Sequence, residues 1–397
     1  MREPLLKRRI KFKEVATIGN WAKIPKPSSA TGEDAGKSGS DLGINTKKLG
    51  SVDQTSSSRR KYDVFPEETL LLDWPKPITA GPGLQNLGNT CFLNSTLQCL
   101  TYTPPLALYL LSRSHSQKCK LRRQTTFCTF CELEKHVMRS LSGMRGKNTI
   151  TPKSIVGRLK SIAKHFRVGR QEDAHEFLRY FIDSLQNSCL VGFEKLDHKQ
   201  KETTVIHQVF GGYTQSRILC TVCKEPSCTI EPCLDISLEV KNCGSVEKAL
   251  ARFTKTESLT GDNKYRCSKC KTLVDATKQM TILEAPKILV LQLKRFEFGG
   301  FSMFGGGKIS KMITFPEKLD IQPYMFKTKK KVLYELYGVL VHAGGSCNSG
   351  HYFSYVKAPN GVWYLKNDSE VRQVSVKQVL DQQAYILFYS AVQPVSI

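Results

Sequence analysis

The chain has 397 residues, of which 40% are hydrophobic, 9% aromatic and 24% charged, a composition typical of globular proteins. No run approaches eighteen consecutive apolar residues, so the sequence predicts no membrane-spanning helix and no membrane partner. The formal net charge of +24 predicts attraction to polyanions such as nucleic acid (RNA or DNA) or acidic chromatin, although a generally basic surface without a dedicated site fits the charge equally well.

Residues 1–78 differ in composition from the rest of the chain. Residues 28–58 are rich in Ser, Gly, Thr and charge, and such a segment buries too little apolar surface to offset the entropy of ordering. The first residues lack the apolar core of a secretory signal and carry a basic cluster typical of nuclear import, formed by Lys7, Arg8, Arg9, Lys11 and Lys13. We expect residues 1–78 to be a disordered basic tail of an intracellular protein, with the nucleus or nucleolus favoured and the cytoplasm also open.

From residue 81 onward the sequence is typical of a folded domain. Residues 92–100 predict a helix that ends before Pro104 and Pro105, and residues 171–190 predict a longer helix with apolar residues at i, i+3, i+4 and i+7. Most predicted strands lie in the second half, at residues 288–293, 336–342, 352–356, 362–365 and 385–389. Helices first and strands later predict an α+β domain.

Cys91 stands where a loop rich in Gly and Asn gives way to the first of these helices. The unpaired N–H groups and partial positive charge of a helix N-terminus stabilise a thiolate, and they can also bind the oxyanion formed when a carbonyl is attacked. Glycines at positions 81, 83 and 88 allow the backbone to approach a substrate closely. A cysteine alone is weak support for catalysis, because most free cysteines are small buried hydrophobes.

A thiolate nucleophile needs a base, and the base needs an orienting partner. His351 follows Gly350, and Asn367-Asp368 comes after a predicted strand and a turn at Asn360-Gly361. Two adjacent strands joined by that turn would place His351 beside Asn367. The three segments together predict a cysteine nucleophile with a histidine base.

These segments resemble the cysteine and histidine boxes of the ubiquitin-specific protease family of deubiquitinases, and especially a nuclear and nucleolar branch of it. The likeness runs from about residue 81 to 389 in the family's motif order. It implies a papain-like cysteine peptidase fold with fingers, palm and thumb subdomains over residues 79–392, the fingers being inserted at about 205–285. It also implies a thiol-dependent hydrolase that cuts after the C-terminal glycine of ubiquitin, with ubiquitin and ubiquitinated proteins as partners.

The resemblance implies a role for each matching residue. Cys91 would be the nucleophile and His351 the general base, which later protonates the leaving amine. Asn367 would orient the histidine, and Asn86 would help to form the oxyanion hole. Asp368 could support either the histidine or the oxyanion, so the division of labour between Asn367 and Asp368 stays open.

Residues 171–178 resemble the family's second signature. Because ubiquitin's C-terminal tail carries arginines, we expect Asp173, and less firmly Glu172, to pair with them at the wall of the cleft. Capping of a helix N-terminus by acidic residues is the alternative, and both roles can hold at once.

Three further segments resemble the family's substrate cleft. Residues 291–296 resemble a strand that lines it, and the stretches 299–307 and 344–350 resemble mobile loops that border it. His175 and His342, which lie near these motifs in the sequence, are expected to be structural.

Two Cys-x-x-Cys pairs separated by 43 residues could supply four thiolates in tetrahedral array, namely Cys220, Cys223, Cys267 and Cys270. The intervening sequence is longer than in simple zinc ribbons, so the spacing alone is insufficient. The resemblance supports a zinc ribbon in the fingers. We therefore expect structural zinc there and no catalytic cofactor.

A third pair, Cys128 and Cys131, has Cys119 before it and His136 after it. These residues could form a Cys₃His metal site, but buried or free thiols explain them equally well.

Two alternatives to an active, monomeric deubiquitinase stay open from the sequence. One is a ubiquitin-binding scaffold that has lost catalysis, against which the intact Cys91, His351 and Asn367 argue. The other is a basic zinc protein whose main work is nucleic-acid binding.

Overall fold

The computed structural model describes residues 64–65, 70–124, 126–141, 148–193, 195–296, 307–328, 331–346 and 349–392. Most of the predicted tail, the basic cluster at 7–13 and nearly all of the stretch 299–307 lie outside these ranges. Among the described helices, none combines the length and apolar character needed to cross a bilayer.

The described helices concentrate in the first half of the domain. They are α1 (Cys91–Thr101), α2 (Pro104–Leu111), α3 (Ser114–Lys118), α4 (Lys120–Arg123), α5 (Thr129–Leu141), α6 (Lys153–Val156), α7 (Leu159–Ile162), α8 (Ala174–Leu190), α9 (His198–Lys201), α10 (Val205–Phe210), α11 (Val246–Phe253) and α12 (Val376–Leu380). The two helices predicted from the sequence correspond to α1 and α8.

The described strands concentrate in the second half. They are β1 (Gly83–Leu84), β2 (Thr149–Ile150), β3 (Gly212–Cys220), β4 (Pro226–Cys233), β5 (Ile236–Glu239), β6 (Glu257–Leu259), β7 (Tyr265–Arg266), β8 (Leu273–Val274), β9 (Ala276–Glu284), β10 (Ile288–Lys294), β11 (Lys318–Asp320), β12 (Leu333–Ser346), β13 (Ser349–Lys357), β14 (Trp363–Asn367), β15 (Glu370–Val374) and β16 (Ala384–Ala391). This order of elements confirms the predicted α+β class.

Helix α1 is the centre of the helical layer, and all of its residues are buried. The apolar side chains of Leu93, Leu97 and Leu100 account for only part of that burial. The hydroxyl groups of Ser95 and Thr101 donate to backbone carbonyls one turn earlier, so these polar residues of the helix are also satisfied. A fully buried helix forms because α8 packs on one side of it and the large sheet on the other.

The large sheet has the order β15-β14-β13-β12-β16-β10-β5, with β11 added at β12. Its pairs are antiparallel except for β5 with β10. In β10, Ile288 and Val290 face the helical core while Leu289, Leu291 and Leu293 face a second core. Because both faces of this strand are buried, it is apolar almost throughout.

The fingers consist of the four-stranded sheet β4-β3-β9-β6 and the two-stranded ribbon β7-β8. The predicted finger segment 205–285 is interrupted, because β5 and α11 pack into the second core of the large sheet. Long strands β3 and β9 form the stem of the fingers, and a small cluster around Cys220 and Cys267 lies at one end.

Candidate active site

Cys91 is the first residue of α1 and is 5% exposed. The turn before it contains Gly88 at φ +93° and Asn89 at φ +55°. Glycine adopts this left-handed conformation without strain and asparagine tolerates it, which explains the Gly-Asn pair at this point. The turn places the Cys91 thiol at the helix N-terminus, where the first N–H groups have no intrahelical partner.

His351 lies on β13, and its Nε2 is 2.6 Å from Oδ1 of Asn367 at the end of β14. Because an amide oxygen only accepts, Nε2 carries the hydrogen of this bond. In the neutral ring Nδ1 is then left with its lone pair, and the ring is hydrogen-bonded to Cys91. Cys91, His351 and Asn367 therefore form a connected line of nucleophile, base and orienting amide.

The environment of His351 favours the imidazolium. The hydrogen bond with Cys91 has the largest effect, and together with the Asn367 bond it raises the pKa of His351 to about 9 against the opposing effect of desolvation. At neutral pH the ring is accordingly protonated when it pairs with the Cys91 sulphur. An imidazolium in this position can stabilise a thiolate and can donate a proton to a leaving group.

Asp368 makes different hydrogen bonds from Asn367, and its charge also contributes to raising the pKa of His351. Its Oδ2 accepts a hydrogen bond of 2.9 Å from the Asn86 side chain, and its Oδ1 accepts one of 2.8 Å from the Asn94 side chain. Its backbone has φ +48°, so the chain turns sharply after β14 and the carboxylate faces the loop before α1. The carbonyl of Asp368 also accepts from Leu84 N–H at 2.7 Å, which ties the loop to the sheet.

The orientation of the Asn86 amide follows from its contacts. Its Oδ1 accepts from the N–H groups of Gly88 at 3.0 Å and Thr90 at 3.2 Å, while its Nδ2 donates to Asp368. This arrangement keeps Nδ2 as a donor with a second hydrogen available, as an oxyanion-binding group requires. Asn94 was not predicted; its only signal was an amide three residues after the cysteine, on the first turn of a buried helix.

Asp173 is the N-cap of α8, since its Oδ1 accepts from Glu176 N–H at 2.8 Å. Its Oδ2 accepts from the hydroxyl groups of Tyr352 at 3.2 Å and Tyr385 at 2.7 Å. The carboxylate thus caps a helix and also borders a cavity between α8 and the strands β10 and β16. The cavity measures about 550 Å³ and is lined by Asp173, His175, Glu176, Arg179, Tyr180, Asp183, Gln292 and Tyr385.

The two residues before Asp173 have contacts that shape the site. Glu172 accepts from the Arg167 N–H at 3.3 Å, so its carboxylate supports the preceding loop. Gln171, for which no separate role was predicted, accepts from Gly350 N–H at 3.0 Å. This bond holds the backbone just before His351.

Of the two basic residues at the end of the predicted cleft strand, Lys294 is exposed and Arg295 turns inward. Arg295 is 1% exposed, and its guanidinium donates to the carbonyls of Ala384, Ile309 and Lys311. It therefore joins backbone segments, while Gln292 of the same strand lines the cavity.

The two histidines expected to be structural have contacts that fit this role. His175 contacts Asp235 at 2.8 Å. His342 is buried, and desolvation lowers its pKa to about 4, so it stays neutral.

The four finger cysteines meet as the spacing predicted. Their sulphur atoms lie within 4.8 Å of one another, with Cys220 to Cys270 at 3.9 Å and Cys223 to Cys267 at 3.6 Å. A tetrahedral zinc ion with Zn–S bonds of about 2.3 Å requires sulphur separations of about 3.8 Å. Four protein ligands fill the coordination shell, so the expected structural zinc of the fingers is confirmed.

A thiol at a helix N-terminus, hydrogen-bonded to a histidine that an amide orients, is the arrangement found in cysteine peptidases of the papain-like class. Residues 82–389 match the family described as ubiquitin carboxyl-terminal hydrolase, and the chain belongs to that family.

Two relatives share about half of their aligned residues with this chain. Human ubiquitin carboxyl-terminal hydrolase 42 is 49% identical over 82% of this chain, and the probable ubiquitin carboxyl-terminal hydrolase 16 of Schizosaccharomyces pombe is 49% identical over 82%. The matched region spans 24% of the human protein and 70% of the S. pombe protein.

Solved structures of the family show the same fold. Ubp8 in the SAGA deubiquitinating module bound to ubiquitin aldehyde superposes with a TM-score of 0.69 at 34% identity, covering 79% of this chain and 70% of Ubp8. A variant of Ubp8 in the module bound to monoubiquitin gives 0.68 at 35% identity, over 79% of this chain and 69% of Ubp8. These likenesses confirm the predicted papain-like architecture.

The protonation of His351 can be measured directly by NMR titration of the full chain with ring-labelled histidine. We expect a pKa of about 9 for His351, a large fall in Cys91→Ala and a smaller fall in Asn367→Ala, because each variant removes a contact that favours the imidazolium. His351→Gln assigns the signal, and His175→Gln should leave it unchanged. Titration of His351 near its ordinary pKa of about 6.5 in the unaltered chain would contradict the described pairing.

Proposed function

We propose that this chain is a thiol-dependent deubiquitinase that hydrolyses the peptide or isopeptide bond after the C-terminal glycine of ubiquitin. The observation that carries the proposal is the connected contact of Cys91, His351 and Asn367, beside an Asn86 amide oriented by Asp368. Family membership over residues 82–389 and the ubiquitin bound to Ubp8 in two related structures support it.

In the proposed reaction the Cys91 thiolate attacks the carbonyl carbon of ubiquitin's last glycine. The negative charge moves to the carbonyl oxygen, which accepts hydrogen bonds from Asn86 Nδ2 and from the backbone N–H of Cys91. The His351 imidazolium then donates its proton to the leaving amine nitrogen as the C–N bond breaks, and a thioester remains on Cys91.

Hydrolysis of the thioester completes the cycle. The neutral His351 now takes a proton from water, and the resulting hydroxide attacks the carbonyl carbon of the thioester. The carbonyl oxygen again accepts hydrogen bonds at the oxyanion site. The C–S bond breaks, the new carboxylic acid of ubiquitin releases its proton to solvent and leaves as a carboxylate, and the thiolate–imidazolium pair is restored. Asn367 acts throughout by holding the ring, since an amide can orient the imidazole but brings no charge to it.

We further propose that Asp173 helps to bind the basic tail of ubiquitin. Its carboxylate is held by Tyr352 and Tyr385 beside a cavity that also contains Glu176 and Asp183, so acidic side chains predominate there. Arginine pairs well with carboxylates in such a setting. Glu172 is a weaker candidate for the same role, because its carboxylate contacts the backbone of the preceding loop.

The enzyme and scaffold alternatives are separated by a ubiquitin probe with a C-terminal electrophile. The full chain should form a covalent adduct, Cys91→Ala should form none, and Cys99→Ala, which alters a buried thiol on the same helix, should react like the unaltered chain. Mass spectrometry of the intact protein and of its peptides locates the bond. Absence of an adduct with the unaltered chain, or an adduct that survives Cys91→Ala, would overturn the proposal.

The part played by Asp368 is tested by Asp368→Asn, which tolerates the left-handed backbone but cannot accept from both Asn86 and Asn94. We expect kcat on a fluorogenic ubiquitin amide to fall about 100-fold, because the oxyanion donor loses its orientation. The surface variant Asp381→Asn is the matched control and should keep full activity. An unchanged kcat in Asp368→Asn would show that Asn86 needs no anchor.

We also propose that the basic surface binds polyanions such as RNA, DNA or chromatin. A second part of this proposal is that the protein is nuclear and nucleolar. The catalytic domain would act as a monomer. The net charge of +24 supports the first part, and most of the excess of Lys and Arg lies beyond residue 78. The basic cluster at residues 7–13 supports the second part.

Removal of residues 1–78 tests both parts of this proposal. We expect the full chain to bind labelled RNA and duplex DNA at about 150 mM salt with affinity that falls steeply as salt rises, and the shortened chain to keep part of that binding. The full chain carrying a fluorescent tag should accumulate in nuclei, and the shortened one should lose this enrichment. Absence of binding at that salt, or equal distribution of both forms, would refute the corresponding part.

A further inference from the structure

A second group of metal-binding side chains lies in the helical layer, away from the fingers. The ligand atoms of His115, Cys119, Cys128 and Cys131 all lie within 4.8 Å of one another. His115 comes from α3, Cys119 from the junction of α3 and α4, and the cysteine pair from the start of α5. All four residues are at least nine-tenths buried.

The separations suit a tetrahedral ion. His115 Nε2 lies 3.2 Å from Cys128 Sγ, and a zinc ion with Zn–N of about 2.0 Å and Zn–S of about 2.3 Å requires a separation of about 3.5 Å. Three thiols and one imidazole are a common structural ligand set for zinc. All three cysteines are free thiols in the structure, so no disulfide accounts for their approach.

In this group, as in the finger site, the backbone N–H three residues after a cysteine donates to that cysteine's sulphur. In the fingers, the N–H groups of Cys223 and Cys270 donate to Cys220 Sγ at 3.4 Å and to Cys267 Sγ at 3.5 Å. In the helical layer, Arg122 N–H donates to Cys119 Sγ at 3.4 Å.

The Cys128–Cys131 pair has the same kind of hydrogen bond, since the Cys131 N–H donates to Cys128 Sγ. Donors three residues beyond a cysteine stabilise its sulphur as a thiolate, which is the form that binds metal. Cys119 and Cys128 therefore each accept the same backbone hydrogen bond as the first cysteine of each finger pair.

The histidine of the group differs from the one that sequence spacing suggested. His136 is buried on α5, its Nε2 has no hydrogen-bond partner among the described residues, and it lies outside the cluster. His115 takes its place and stacks on Phe130, with ring centroids 4.6 Å apart. This stacking fixes the plane of the ring with Nε2 toward the thiols.

We propose that His115, Cys119, Cys128 and Cys131 bind a second structural zinc ion. Four protein ligands leave no open position, so the site has no role in bond cleavage. It joins the short helices α3 and α4 to α5, and α5 is in turn joined to α8 by the contact of Thr129 and Ser184 hydroxyls at 2.5 Å. The site thereby stabilises the helical layer that holds α8.

Metal content of the full chain, purified without chelators, tests the proposal. Native mass spectrometry should find two zinc ions per chain, and the double variant Cys128→Ser with Cys131→Ser should retain one. The double variant Cys267→Ser with Cys270→Ser should also retain one, because it removes only the finger site. A single ion in the unaltered chain, with content unaffected by changes at Cys128 and Cys131, would overturn the proposal.

Three further variants distinguish loss of a ligand from loss of folding. His115→Ala should lose one ion and His115→Cys should keep two, because a thiolate can replace the imidazole. Cys189→Ala, which alters a half-buried thiol near the cluster but outside the ligand set, should keep two. Retention of the finger ion in each variant shows that the chain is folded, and retention of both ions in His115→Ala would count against the ligand set.

Discussion

The pairing register of β13 and β14 is the constraint on which the catalytic arrangement depends. Ser354 pairs with Lys366, so Asn367 lies opposite Phe353 and diagonally across from His351 on the same face. Diagonal neighbours on one face are within reach of long side chains, and their bond here measures 2.6 Å. A slip of one residue would turn Asn367 to the other face and leave His351 without its partner.

The turn that follows β14 extends this constraint to the loop before α1. Asp368 leaves the strand with a left-handed backbone and holds Asn86 and Asn94, while its carbonyl accepts from Leu84. A side chain at position 83 would collide with the Ser369 backbone, which explains why glycine stands there. Cys91 and His351 thus come from opposite ends of the domain's sequence, but their segments are joined through one short turn.

Local patterns predicted much of this molecule. Periodicity located α1, α8 and most strands, because an element that buries one face or both leaves a regular apolar signal. The Cys-x-x-Cys pairs are also a local signal, since the two cysteines of a zinc knuckle lie on one turn of the chain. Local patterns were not enough to predict the pairing of Cys91 with His351 and Asn367. Residues so far apart in the sequence are related by the motif order of a known family and not by their spacing.

The sequence by itself determined the α+β class, and it predicted Cys91 with its motif partners and the four cysteines that meet in the fingers. Only the tertiary structure brought Asn367 to His351 and Asp368 to the Asn86 side chain, because Asn367 ends β14 and Asp368 begins the left-handed turn that follows it. Likewise it turned Arg295 inward and placed His115, not His136, beside Cys128. Choices of this kind depend on which segments pack together, and that is decided by the burial of whole helices and strands.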